Sequence, residues 1–157
     1  MRLAVLSIVA MLAAASRGSE ARAAVPAALA GWWLDGTGRA GIHFEPCGER
    51  GGQLCGTIRW LLHPLRDGLP EVDQLNADAS LRHRRVCGLP LLGGFVAAGD
   101  GRWSGGWIYD PDDGETYRST ITLTADGTLR VRGYVGIPLL GRTETWTRPT
   151  APLTPCT

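Results

Sequence analysis

The last stretch before the tail, Gly127 to Arg148 (GTLRVRGYVGIPLLGRTETWTR), constrains the fold more than any other part of the chain. It reads as two strands joined by a Gly-Pro turn. Leu129, Val131, Gly133 and Val135 share one face of the first strand, and Arg130, Arg132 and Tyr134 share the other. That period-two alternation marks a half-buried strand. Gly136, Pro138 and Gly141 then break the run, as a connection between antiparallel strands should. The second strand sets Glu144, Trp146 and Arg148 against Thr143, Thr145 and Thr147. A lone hairpin is marginal in water, so further strands must cover its apolar face.

The rest of the chain supplies them. Gly31-Trp32-Trp33-Leu34 opens a sheet, Asp35 to Gly38 turns, and Ile42 and Phe44 face one way while His43 and Glu45 face the other. Leu54 to Leu62 is read as a strand with Leu54, Ile58, Trp60 and Leu62 on one face. Further strands span Leu89 to Ala97, Arg102 to Tyr109 and Thr116 to Thr124, separated by the turns Asp100-Gly101, Asp110 to Gly114 and Asp126-Gly127. The pattern amounts to about eight short antiparallel strands, mostly in tight hairpins. With 22 Gly and 10 Pro in 157 residues and no break in composition, it predicts one all-β domain. An up-and-down closed barrel is its natural form, because closure removes unpaired edges. The exception to the rhythm is His63 to Arg85, with Pro64, Asp67-Gly68, Pro70, Asp73, Asn76 and Asp78, then Arg82-His83-Arg84-Arg85. Its length marks it as a functional loop, with a helical turn expected near Ala77 to Leu81.

The start of the chain has the features of a targeting signal. Arg2 precedes an apolar run from Leu3 to Ala15, too short to span a membrane, and Ala21-Arg22-Ala23 fits a small-x-small cleavage site. The expected organisation is a signal peptide at 1–23 and a barrel at 24–157, located in the periplasm or secreted. Cleavage there removes three Arg and one Glu, leaving 13 Arg and 14 acids and changing the net charge from +1 to −1. Neither value implies nucleic acid as a partner. All four Cys (47, 55, 87 and 156) fall in the mature part, and an exported chain with an even count is expected to form disulfides. Cys47–Cys55 would flank one turn, and Cys87–Cys156 would pin the tail. Free thiols are the alternative.

Gly31-x-Trp33 resembles the opening of lipocalin-like barrels, in which an Arg late in the last strand lies against that Trp. Arg148 is the matching residue, and an Arg over an indole face is a favourable pair. A longer series occurs in order: Cys47-Gly48, Leu54-Cys55-Gly56, Ile58-Arg59-Trp60-Leu61, Leu81-Arg82-His83-Arg84, Ile108-Tyr109-Asp110-Pro111, Gly114-Glu115-Thr116-Tyr117, Val131 to Gly136 and Leu140-Gly141-Arg142-Thr143. Over Gly31 to Arg148 the chain resembles a bacterial family of exported proteins, domain of unknown function 2147. That resemblance implies a periplasmic lipocalin-like barrel, with ligand binding expected and no established activity. The chain departs from the family in a longer Cys47–Cys55 turn, in Ala77 where Pro is frequent, and in Glu115 where Lys is frequent.

Searches for reaction chemistry find little. Gly36-Thr37-Gly38-Arg39-Ala40-Gly41 matches G-x-G-x-x-G but lies between two strands, where a dinucleotide site needs a helix. His43, His63 and His83 lack metal-ligand spacing, and Ser104 is not on a nucleophile elbow. Asp110, Asp112, Asp113 and Glu115 crowd one turn but miss the spacing of a calcium loop. No nucleophile–base set appears, so no cofactor is expected and an enzyme is the least supported class. A barrel of this size either fills with side chains or holds one small ligand. The first reading is therefore a binding module for a small hydrophobic or anionic ligand. Its expected site is Trp60, Asp73, Asn76, Arg82, Arg84, Tyr109, Tyr117 and Arg142, with the long loop framing and gating the mouth and Trp33 and Arg148 closing one end. The alternative is an envelope structural or interaction protein with a filled barrel. N-terminal sequencing of the protein recovered from the periplasm should begin at Ala24; an intact Met1 in the cytoplasm would contradict the export assignment.

Overall fold

The computed structural model describes residues 25–48 and 51–156. The expected signal peptide at 1–23 and its expected cleavage site lie outside the described residues. Eight strands form the barrel: β1 (Gly31–Leu34), β2 (Ala40–Cys47), β3 (Gln53–Leu61), β6 (Pro90–Gly99), β7 (Arg102–Asp110), β8 (Glu115–Leu123), β9 (Leu129–Tyr134) and β10 (Arg142–Trp146). Two-residue strands β4 (Leu65–Arg66) and β5 (Leu69–Pro70) make a separate small ribbon within the long loop. Short 3₁₀ turns lie at Ala79–Leu81, inside the span expected to be helical, and at Pro138–Leu140 in the β9–β10 connection.

Each barrel strand pairs antiparallel with the next in chain order. The two edges meet at one bridge, where Leu34 N–H donates to the Thr147 carbonyl at 2.8 Å and Thr147 N–H returns to Leu34 at 3.2 Å. The barrel is thus up-and-down and nearly closed, which leaves little free edge for another chain to add to.

Both disulfides form as expected, Cys47–Cys55 with Cα atoms 5.8 Å apart and Cys87–Cys156 with Cα atoms 6.2 Å apart. The second closes a sequence separation of 69 residues, which in the chain-entropy account restrains the unfolded state by about 4 kcal/mol. It also lays the tail over β3, where Cys156 N–H donates to the Arg59 carbonyl at 2.7 Å. Two disulfides fit an oxidising, extracytoplasmic compartment. Among the described residues no helix is long and apolar enough to cross a membrane.

The inward alternation yields a dense core in one half of the barrel, built on Trp33, Ile42, Phe44, Leu92, Phe95, Ile121, Leu129 and Trp146, each no more than 2% exposed. Phe44 packs between the rings of Trp33 and Trp146. A turn at 26–30 covers this end, with Leu29 fully buried and its carbonyl accepting from Trp33 Nε1 at 3.1 Å. Arg148 fixes the turn. Its guanidinium lies 3.8 Å from the Trp33 ring centroid and donates to the carbonyls of Ala28, Ala30 and Trp32 at 2.8–3.0 Å. Partial burial lowers its pKa from the ordinary arginine value.

One strand face differs from the sequence reading. The register between β2 and β3 shifts, pairing Ile42 with Ile58 but Gly41 with Trp60, so Arg59 is extra. This bulge inverts the alternation beyond Ile58. Leu61, opposite Ala40, takes the inward phase, while Trp60, opposite Gly41, lies beneath the tail residue Leu153. Trp33→Ala should lower stability by about 3–5 kcal/mol, as a large core truncation. Arg148→Ala should cost about 1–2 kcal/mol, because the half-open guanidinium retains some solvent. Urea melts of both single variants and the double variant should show non-additivity; additive losses would refute the coupling.

Candidate ligand-binding site

Above this core the barrel is not filled. The turns at 35–40, 110–115 and 134–142 and the long loop at 62–89 gather at the end opposite the 26–30 turn, around a cavity of about 1040 Å³. Its walls are Ile58 and Leu61 of β3, Ile108 of β7, Tyr117 of β8, Val131 and Gly133 of β9, and Glu144 and Trp146 of β10. Small residues leave this space open. A Cβ built on Gly133 would meet Ile108 and Tyr117 only at ordinary contact distances of 3.4 and 3.6 Å. Leu65, Leu75, Val135 and Leu140 supply an apolar rim, each at least 55% exposed.

The long loop is anchored by buried polar groups. Asp73 is 1% exposed. Its Oδ1 accepts from the Tyr109 hydroxyl at 2.6 Å, and its Oδ2 accepts from Asn76 Nδ2 at 2.8 Å and from Arg84 Nε and Nη2 at 3.0 and 2.9 Å. Asn76 Nδ2 also donates to the Tyr109 oxygen at 2.9 Å, and the Arg84 guanidinium lies 5.5 Å from the Tyr109 ring centroid. Burial, then the hydrogen bond to Asp73, raises the Tyr109 pKa above the usual phenol value. Arg82 Nε donates to the Asn76 carbonyl at 2.8 Å. On the other side, a Cβ on Gly114 would collide with the Leu75 carbonyl, and the Gly114 φ of +79° already favours glycine. The β7–β8 turn and the loop therefore lock together.

These contacts divide the expected site. Tyr109, Tyr117 and Arg142 line the cavity. Asp73, Asn76, Arg82 and Arg84 are brought together with Tyr109, but as the brace of the loop, and they are not among the cavity-lining residues. Trp60 belongs to the outer face under the tail.

Sequence reasoning missed Leu61, Ile108, Asp110, Asp113 and Glu144 as cavity residues. A usable signal existed for Glu144, a carboxylate in the same strand phase as Trp146. For Leu61 none existed, because the bulge that turns it inward leaves no mark in the alternation. Six carboxylates and three arginines line the cavity. Asp112 pairs with Arg39 at 3.0 Å and Glu71 with Arg66 at 2.7 Å. Asp35 accepts from Arg39 N–H and Ala40 N–H within its own turn. Asp113 accepts from the Tyr117 hydroxyl at 2.7 Å, and this bond is the main reason the Tyr117 pKa is pushed up to about 12.

Residues 31–148 match the family described as uncharacterized protein conserved in bacteria (DUF2147). The chain belongs to that family. No curated protein matches it. Among solved structures it is similar to HP1028 of the human pathogen Helicobacter pylori, a protein described as belonging to the lipocalin family. The two share 22% identity over 78% of this chain and 83% of that one, with a TM-score of 0.64. At that identity the likeness establishes a shared lipocalin-like barrel. Asp73→Ala should cost this DUF2147 protein about 3–5 kcal/mol, because it strands the cation and hydroxyl that faced a buried carboxylate. Hydrogen exchange should then quicken across 71–86 while the β8–β9 amides stay protected; unchanged exchange in the loop would contradict the bracing role.

Proposed function

We propose that this protein is a periplasmic or secreted binding module that holds a small, largely apolar molecule in the open half of its barrel. The observation that carries this reading is the cavity of about 1040 Å³ above a packed floor. Its volume is at the upper end of the usual range for small-molecule sites. The walls combine aliphatic and aromatic groups with a few polar ones, and a site of that composition gains affinity from apolar burial and orientation from the polar groups. The loop brace supports the reading too, because a mouth held open by buried hydrogen bonds spares the ligand the cost of ordering it.

The anionic part of the expectation has less support. Arg82 and Arg84 direct donors at Asn76 and Asp73. Arg39 and Arg66 are paired with Asp112 and Glu71. Export is part of the proposal and rests on the apolar N-terminal segment and the two disulfides. An envelope role with a filled barrel fits less well, because the cavity leaves the half opposite Trp33 unfilled.

Gly133→Leu is the direct test. The added side chain would project past Ile108 and Tyr117 into the space a ligand needs. Wild type should bind the neutral fluorophore N-phenyl-1-naphthylamine, with energy transfer from Trp146. The variant should bind at least about tenfold more weakly while its cooperative melt is retained, since an apolar body of that size owes several kcal/mol to burial. Equal binding by the two proteins would place the fluorophore elsewhere and contradict the proposal.

A further inference from the structure

The paired charges leave a remainder inside the cavity. Once Asp35, Asp112, Glu71 and Asp113 are assigned to their turn, to Arg39, to Arg66 and to Tyr117, two carboxylates are left: Asp110 at the end of β7 and Glu144 in the middle of β10. Among the described residues, the Asp110 side chain accepts from the Asp112 backbone N–H at 2.9 Å, and the Glu144 side chain accepts from Trp146 Nε1 at 3.0 Å. Among the described residues, neither carboxylate takes part in an ion pair. Both are partly buried, and both are wall residues of the same cavity. Their fields overlap: burial first, and then the charges of Asp113, Asp112 and Glu144, raise the Asp110 pKa above the ordinary carboxylate value. The other titratable and charged groups facing this space are His63, Tyr109, Tyr134 and Arg142. Arg142 stands two residues from Glu144 along β10, at the rim, and is exposed.

Two like charges in one partly desolvated cavity repel, and a cation placed between them removes that repulsion while gaining two charge-assisted hydrogen bonds. The space below them, bounded by Ile58, Ile108, Val131 and Trp146, is apolar. We infer that the cavity selects small amphiphiles carrying a protonated amine, with the ammonium between Asp110 and Glu144 and the hydrocarbon body against that floor. This inference rests on the binding function proposed above and names the ligand class of the same site. Arg142 at the rim works against an amine and for an acid, but it is exposed and its field is screened by solvent, whereas the two carboxylates are partly buried and set the preference deeper in the cavity.

The experiment compares decylamine, decanol and decanoate by competition against N-phenyl-1-naphthylamine at neutral pH and moderate salt, using the full mature protein. The amine should bind about tenfold or more tightly than the alcohol, in line with the gain from charged hydrogen bonds, and the acid should bind worst. Glu144→Gln and Asp110→Asn keep the acceptors used by Trp146 Nε1 and the Asp112 N–H. Each should reduce amine affinity severalfold and so narrow the gap between amine and alcohol, and a retained cooperative melt serves as the check on folding. A raised pKa means that Asp110 takes its proton at a higher pH than an ordinary carboxylate, so the amine preference should fade as pH drops through that value and be full above it. Amine and alcohol binding equally, decanoate binding best, or both variants retaining the amine preference would each overturn the inference while leaving the binding function intact. Failure of all three probes and the fluorophore to bind would overturn both.

Discussion

Asp73 is a carboxylate with 1% exposure that accepts hydrogen bonds from Tyr109, Asn76 and Arg84. An isolated charge at such depth would be strongly disfavoured, and it persists because each oxygen has donors in place. The partners come from two parts of the chain: Asn76 and Arg84 lie within the long loop, and Tyr109 lies on β7. Satisfying one buried group therefore fixes the loop against the barrel wall. Gly114 reinforces the contact by letting the β7–β8 turn press against the Leu75 carbonyl. The shape of the mouth, and hence access to the cavity, follows from this arrangement. It also changes the role assigned to the loop, which frames the entrance as a braced wall.

The opposite end obeys a different constraint. An eight-stranded barrel needs something other than strands to seal it. Here the 26–30 turn does so, through Leu29 below Trp33 and three backbone carbonyls gathered by Arg148. Large aromatic side chains then fill the adjoining half, and Gly133 and Ala40 leave the other half open. The division of the interior into a floor and a cavity is thus a matter of which inward positions carry large side chains.

Much of the architecture was legible because it is local. Alternation marked the strands to within a residue or two, turn residues marked the hairpins, and the even cysteine count marked the disulfides. The inward phase of Leu129, Val131, Glu144 and Trp146 was also legible, because β9 and β10 run without a bulge. Trp60 was misplaced because the β2–β3 register shift at Arg59 depends on pairing between strands, which alternation within one strand cannot reveal. The roles of Arg82 and Arg84 were unreadable for a related reason. Whether a surface arginine offers its charge to a ligand or spends it on a neighbour depends on a partner such as Asp73, 11 residues away from Arg84 in sequence and reached only through tertiary structure. The two ribbon strands β4 and β5 were missed because two residues are too few to show a period.

The central claim is that the upper half of the barrel is a working cavity above an inert floor. The most direct measurement is an amide-and-indole NMR titration of the protein with N-phenyl-1-naphthylamine. The account predicts saturable shifts at Leu61, Tyr117, Val131, Gly133 and the Trp146 indole, with Trp33 and Phe95 nearly unmoved. Shifts confined to the outer faces of the strands, or no saturable shift at all, would contradict it.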